Sequence, residues 1–179
     1  MLPDRNNFFL TGFMGSGKTT VGLRLSRELG SREKRWTFVD TDQLIEERAG
    51  ISVSEIFKNQ GEPAFRALEA EVIGLVCSRR DLVVALGGGA LLKDSSRKRV
   101  LESGTLVFLQ ASVETLAKRL EKETHRPLLA GLTGESLRTK IGEMLRQREP
   151  LYRKAHVAIA TDGKEPIDIA REVMAWHRK

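Results

Sequence analysis

One stretch restricts the fold of this 179-residue chain more than any other, the run Gly12-Phe13-Met14-Gly15-Ser16-Gly17-Lys18-Thr19. Two glycines five apart, followed by a lysine and a hydroxyl residue, form a turn whose backbone N–H groups can fold around a phosphate. The flanks agree with that geometry. Phe8 to Leu10 precede it as a strand, and Thr20 to Leu29 follow with Val21, Leu25 and Leu29 at i, i+4 and i+8, the spacing of a helix. The helix turns its positive end toward an anion in the loop, Lys18 adds a point charge for the outer phosphates, and Thr19 can offer its hydroxyl to a bridging magnesium ion. The bland alternative is a plain glycine-rich turn between a strand and a helix.

Length and composition limit what can be built around this loop. A chain of 179 residues makes one domain, spanning 1–179, with room for a lid. Hydrophobic residues at 40% and charged residues at 30% predict a sizeable core. Thirty Lys and Arg against 24 Asp and Glu give a net charge of +6, which asks for an anionic partner and leaves nucleic acid, a membrane surface and a phosphorylated metabolite open. The single cysteine, Cys77, lies in an apolar helical pattern, so neither an intrachain disulfide nor a zinc cluster is expected. The longest apolar run, Leu82 to Leu86, is far too short to span a bilayer, and the N-terminal residues lack the pattern of a signal or transit peptide. A reducing cytoplasm is the expected location.

Short apolar runs alternate with helical spacing along the chain, predicting an α/β architecture around a mostly parallel sheet. The expected strands are Phe8 to Thr11, Trp36 to Val39, Leu82 to Leu86, Thr105 to Leu109 and His156 to Ala160. A helix over Glu62 to Arg79 opens with Pro63 and aligns Phe65, Leu68, Val72 and Val76 on one face. The segment 122–134, with His125, Arg126, Pro127, Gly131 and Gly134, reads as a mobile lid.

Other positions select among the many chemistries a phosphate loop can serve. Asp40-Thr41-Asp42 ends the second strand, where a doubly wound sheet borders its ligand crevice. The two carboxylates can divide labour, one toward hydrated Mg²⁺ and one toward a substrate hydroxyl; alternatively Asp42 only caps a helix starting near Gln43. Arg66 and Glu69 are i, i+3 and can pair. Gly87-Gly88-Gly89 follows the third strand, suggesting close approach of backbone to a ligand rather than a merely flexible turn. Leu137, Ile141 and Met144 form an apolar stripe that Arg148 continues, just before an expected break at Pro150. Arginine's planar fork suits a carboxylate, so Arg66 and Arg148 can converge on one anionic group; the alternative for Arg148 is a helix-end cation.

These motifs, with Arg126-Pro127-Leu128-Leu129 and Arg148-Glu149-Pro150-Leu151-Tyr152, occur in an order that resembles the shikimate kinase family from about Gly12 to Pro166. The resemblance implies a three-layer P-loop kinase fold with five parallel strands in order 2-3-1-4-5 and a mobile lid. It implies phosphoryl transfer from ATP to the 3-hydroxyl of shikimate, in the pathway to aromatic amino acids, by a monomer with one Mg²⁺ per subunit. ATP would be held by Gly12, Met14, Gly15, Ser16, Gly17, Lys18, Thr19, Thr20, Arg119, Arg126 and Lys164. Shikimate would be held by Asp42, Arg66, Gly88, Gly89 and Arg148, and magnesium by Thr19 and Asp40. Lys18, Asp42 and Arg126 would carry the catalysis. The loop Thr161 to Pro166 runs about one residue short of the family's usual spacing, and Lys164 is the basic residue it offers.

Three rival functions are compatible with a phosphate loop: another small-molecule kinase of this fold, acting on gluconate or a nucleotide; an ATP-dependent nucleic-acid-binding module; and a nucleotide-binding protein without turnover. Against the second, aromatic residues are 6% of the chain and do not cluster with basic ones, so no nucleic-acid or membrane partner is expected.

Overall fold

The computed structural model describes residues 7–31, 35–121, 129 and 131–177. Five strands, β1 (Phe8–Thr11), β2 (Thr37–Asp40), β3 (Leu82–Ala85), β4 (Thr105–Gln110) and β5 (Val157–Ala160), form one parallel sheet in the order β2-β3-β1-β4-β5. The helices are α1 (Lys18–Leu29), α2 (Thr41–Ala49), α3 (Val53–Ser78), α4 (Asp94–Ser103), α5 (Val113–Leu120), α6 (Gly134–Tyr152) and α7 (Pro166–His177). The order that the resemblance implies is the order found.

Alternation along the strands builds three layers. Phe8 and Leu10 of β1 face one way and pack with Val21 and Leu25 of α1 and Ile169 and Val173 of α7. Phe9 faces the other way and packs with Ile73 and Val76 of α3 and Val100 of α4. A third apolar group joins Phe108 of β4 to Leu116 of α5 and to Leu137, Ile141 and Tyr152 of α6. Cys77 is buried in the second layer as a small apolar side chain. No described helix is long and apolar enough to cross a membrane.

Where strand ends differ from the sequence expectation they do so by a single residue, and four boundaries have a local feature beside them. β2 starts at Thr37 because the Trp36 ring leaves the strand line to pack on Phe8, with centroids 5.6 Å apart. α2 starts at Thr41 because Asp40 is its N-cap, accepting from the Asp42 N–H at 3.0 Å. α3 starts at Val53, nine residues before Glu62, on a capping box in which Ser52 accepts from the Glu55 N–H and the Glu55 carboxylate accepts from the Ser52 N–H. The predicted opening at Pro63 survives as a kink, since Gly61 has φ 80° and ψ 172° and the helix restarts beyond it. α6 continues through Pro150 to Tyr152, where the side chain is buried against Phe108, so the expected break does not occur.

β1 lies at the centre of the sheet with β3 on one side and β4 on the other, so the chain leaves it at the point where the strand order reverses. That is where a crevice opens beyond the carboxyl ends of parallel strands.

Candidate active site

The loop after β1 is held closed by its own backbone, with the Ser16 N–H donating to the Phe13 carbonyl at 3.1 Å. Gly12 must be glycine here, because a Cβ would stand 2.6 Å from the Leu109 carbonyl oxygen and 2.7 Å from Ser16 Oγ, at a φ of +146°. Lys18 folds back over the loop and donates to the carbonyls of Gly12 and Phe13, at 2.9 and 3.1 Å. Arg119 reaches across from α5 and donates to the Gly15 carbonyl at 3.0 Å. Two cations therefore border the same small anion-sized nest.

The junction of β2 and α2 assigns a different task to each of three consecutive residues. Asp40 caps α2 through Oδ1 and accepts from the Thr19 hydroxyl through Oδ2 at 3.4 Å. Thr41 is fully buried and its Oγ1 accepts from the Gly87 N–H at 2.8 Å, pinning the glycine loop to this junction. Asp42 is left to face the cleft. Burial, reinforced by the negative charges of Asp40 and Glu69 and opposed by Lys18, raises its pKa from 3.8 to about 6. The cap is therefore Asp40, and the alternative that Asp42 serves only as a cap does not hold.

The substrate end is built on Gly87-Gly88-Gly89. A Cβ at Gly87 would collide with the Asp42 carboxylate, at Gly88 it would stand 2.8 Å from Arg148 Nη1, and at Gly89 it would collide with Arg66 Nη1. Each glycine lies beneath one of three side chains that come from α2, α6 and α3. The close approach expected of this loop is thus to the site's own side chains.

Arg66 is fixed from two sides. Its Nε and Nη2 donate to Glu62 Oε1 at 3.1 and 3.0 Å, and its Nη1 donates to the buried Glu69 Oε2 at 2.8 Å. The guanidinium carbon lies 5.2 Å from the Phe65 ring centroid. Burial raises the Glu69 pKa while Arg66 opposes the rise. Arg148 has a phenol for a neighbour instead: burial raises the Tyr152 pKa, and the Arg148 guanidinium opposes it.

These parts line one cleft of about 690 Å³. It brings together Met14 to Thr20, Asp40, Asp42, Arg66, Gly88, Gly89, Arg119, Arg148 and Lys164, all of them expected from the sequence. Gly12 supports the loop from below. Lys164 is at the edge with its ammonium engaged by Glu172 of α7, 2.7 Å from Oε1 and 2.8 Å from Oε2. Arg126, and the expected lid at 122–128 and 130, lie outside the described residues; Leu129 is buried among the third apolar group.

Several residues at or beside the cleft are not among the site residues expected from the sequence. Phe57, 41% exposed, stacks on Phe65 at 4.7 Å and offers an apolar face at the substrate end. Thr161, Pro166 and Ile169 line the opposite end. Glu62, the second anchor of Arg66, could have been found by its i, i+4 spacing.

The donors present suit a small hard cation. Thr19 Oγ1 and the Asp40 carboxylate are oxygens 3.4 Å apart beside the phosphate loop, and Mg²⁺ takes few protein ligands when phosphate and water fill the remainder. Among the described residues no group of three or more His, Cys, Asp and Glu could hold a metal without such help.

The chain is similar in sequence and in fold to known proteins. The family model described as shikimate kinase matches residues 14–178. A shikimate kinase of Moorella thermoacetica is 46% identical over 167 residues, covering 93% of this chain and 91% of that protein. The solved structure of a shikimate kinase from Acinetobacter baumannii in complex with shikimate superposes with a TM-score of 0.85 at 35% identity, covering 99% of this chain and 95% of that one. A shikimate kinase from Bacteroides thetaiotaomicron superposes at 0.87 and 30% identity, over 97% and 99% of the two chains. With a phosphate loop, a half-buried aspartate and two arginines meeting in one cleft, and with similarity running almost from end to end, this chain belongs to the shikimate kinase family.

Proposed function

We propose that shikimate docks over Gly87-Gly88-Gly89 with its carboxylate between Arg66 and Arg148 and its 3-hydroxyl at Asp42. The chain is an ATP-dependent phosphotransferase acting on shikimate, giving shikimate 3-phosphate and ADP. The observation that carries the docking is the glycine bed itself, because each missing Cβ makes room for one of the three polar side chains. Two guanidiniums and one carboxylate facing a common floor match a substrate with an acid at one end and hydroxyls at the other.

Phosphoryl transfer needs alignment and charge neutralisation more than covalent help from the protein. The loop amides and Lys18 hold the phosphates of ATP, and its base lies toward Arg119, at the end of the cleft away from the glycine bed. Thr19 and Asp40 would hold Mg²⁺, which when bound neutralises charge on the phosphates. Asp42, with a pKa of about 6, is ionised at neutral pH and orients the hydroxyl for attack, ready to accept its proton as the bond forms. Arg66 cannot swing away from the bed, because Glu62 and Glu69 hold three of its nitrogens. Since one chain supplies both ends of the cleft, a monomer acting in the cytoplasm is the form we propose.

A coupled assay for ADP formation across shikimate, quinate, gluconate and nucleoside monophosphates tests the assignment. Turnover should be confined to shikimate, with at most weak activity on quinate. Preference for a neutral polyol or a nucleotide would overturn the role of the arginine pair.

A further inference from the structure

The end of the cleft away from the glycine bed has two walls that belong to different elements. Arg119 comes from α5, while Pro166 and Ile169 come from the start of α7 and Thr161 and Lys164 from the loop before it. The sheet fixes these walls only as far as its last bond, from the Thr161 N–H to the Gln110 carbonyl at 2.8 Å. Beyond that point the loop before α7 is tied to α5 by a side chain, while Ile169 of α7 is held in the core against α1.

That side chain is Asp162. Its Oδ1 and Oδ2 both accept from the Ser112 N–H, at 3.2 and 3.1 Å. Ser112 is the N-cap of α5, and its hydroxyl accepts from the Thr115 N–H at 3.2 Å. Against a burial penalty, hydrogen bonds from Thr115 and Ser112 and the charge of Arg119 hold the Asp162 carboxyl below the usual carboxylate range. Asp162 therefore grips the first turn of the helix whose last turn carries Arg119. It does so from the loop that leads into Pro166, and it does not itself line the cleft.

We propose that Asp162 is a positioning residue for the nucleotide base. By tying loop 161–165 to the N-terminus of α5 it sets the gap between Arg119 and Pro166, and so the affinity for ATP and the preference for adenine over other bases. The inference rests on the proposed placement of ATP with its base at this end. A planar purine between two walls loses contact with one of them when the gap widens by a fraction of an ångström. The glycine bed at the far end of the cleft takes its side chains from α2, α3 and α6, none of which Asp162 touches, so it should feel this tie only through the packing of α5 on α6.

Steady-state kinetics on the full chain separate positioning from general stability. Asp162→Ala should raise KM for ATP about five- to tenfold, the loss expected for a partly exposed charge-assisted hydrogen bond. kcat and KM for shikimate should stay within about twofold, and the preference for ATP over GTP should shrink. Asp162→Asn keeps one acceptor oxygen for the Ser112 N–H and should recover most of the loss. From the other side, Ser112 has φ −66°, which proline can adopt, so Ser112→Pro deletes the donor N–H, while Ser112→Ala removes the cap and keeps it. Ser112→Pro should raise KM for ATP well above Ser112→Ala. Equal KM values for ATP in the two Ser112 variants, or ATP and shikimate KM rising together as the melting temperature falls, would overturn the proposal. If the wild-type enzyme shows no saturable dependence on ATP, the placement of the nucleotide fails first. If it does, and Asp162→Ala leaves KM for ATP unmoved, only the role of Asp162 fails.

Discussion

Arg66 and Arg148 reach the glycine bed with different degrees of charge compensation, and that difference decides what each can contribute. Arg66 has two carboxylates of its own, Glu62 and Glu69, whereas the neighbour that marks Arg148 is the neutral phenol of Tyr152. A substrate carboxylate therefore gains more from Arg148. Arg148→Ala should cost about 1.5 to 3 kcal/mol of shikimate binding, and kcat/KM should fall by one to two orders of magnitude, with ATP affinity unchanged. Calorimetry with each ligand checks this, and an equal loss for ATP would place the arginine elsewhere. Asp42 offers a test of opposite sign. Its folded pKa of about 6 lies above its ordinary 3.8, so the native state holds the proton more tightly. Stability must then fall as pH rises from about 4 to 6, and the full penalty persists above 6. Asp42→Asn should sharply reduce phosphoryl transfer, by about two to four orders of magnitude. It should nonetheless stabilise the ligand-free protein at pH 7 to 8 by on the order of 2 to 3 kcal/mol. Thermal melts at pH 8 and pH 4 settle it: the gain should vanish at the lower pH.

At the scale of elements, the junctions after β2 and β3 behave as one unit, because Thr41 at the start of α2 accepts the Gly87 N–H behind β3. Thr41→Val keeps the shape and orphans that buried donor, a loss of about 1 to 3 kcal/mol. The melting temperature should drop, and KM for shikimate should rise with it, since Gly87 lies beneath Asp42. A lower melting temperature with an unchanged KM would mean the glycine bed does not depend on this bond. This coupling also shows why parts of the site were legible and parts were not. The phosphate loop, the five strands and the i, i+3 pair of Arg66 and Glu69 are set by residues near in sequence, so spacing alone exposes them. Asp40 and Asp42 could both be named from position, but which one caps α2 is decided by a hydrogen bond between them. The first half of α3 lies outside the helix expected over Glu62 to Arg79, although Ser52 and Glu55 carry the spacing of a capping box. Phe57 could not have been found that way, since its place beside Phe65 depends on the kink at Gly61 folding one half of α3 back on the other. Thr41 and the bed of Gly87 to Gly89 answer to partners between 23 and 60 residues away along the chain, beyond any local pattern.

Over the whole molecule, the surplus of six positive charges matters less for its size than for where the cations point. Around the surface, Arg24, Arg48, Lys98, Arg138, Arg153 and Arg171 each lie within 4 Å of a carboxylate, which leaves little field at a distance. The cleft collects Lys18, Arg66, Arg119, Arg148 and Lys164 against Asp40 and Asp42, with low-dielectric walls to focus the field. An anion small enough to enter gains from that concentration, whereas a polyanion as wide as a nucleic acid duplex is too broad for the cleft and meets only the outer surface, where part of the positive charge is paired. Binding of labelled duplex or single-stranded DNA, followed by fluorescence anisotropy, should therefore be weak, with dissociation constants no tighter than about 10⁻⁶ M at physiological salt. It should fade as salt is raised from about 50 to 150 mM, because each contacted phosphate releases a counterion. ATP and shikimate should tolerate the same change far better, being held by buried or directional contacts rather than by diffuse charge. DNA binding that persists at physiological salt and stimulates ATP hydrolysis would show that the basic surplus serves a second, larger partner, and that the charge pairs across the surface open to admit it.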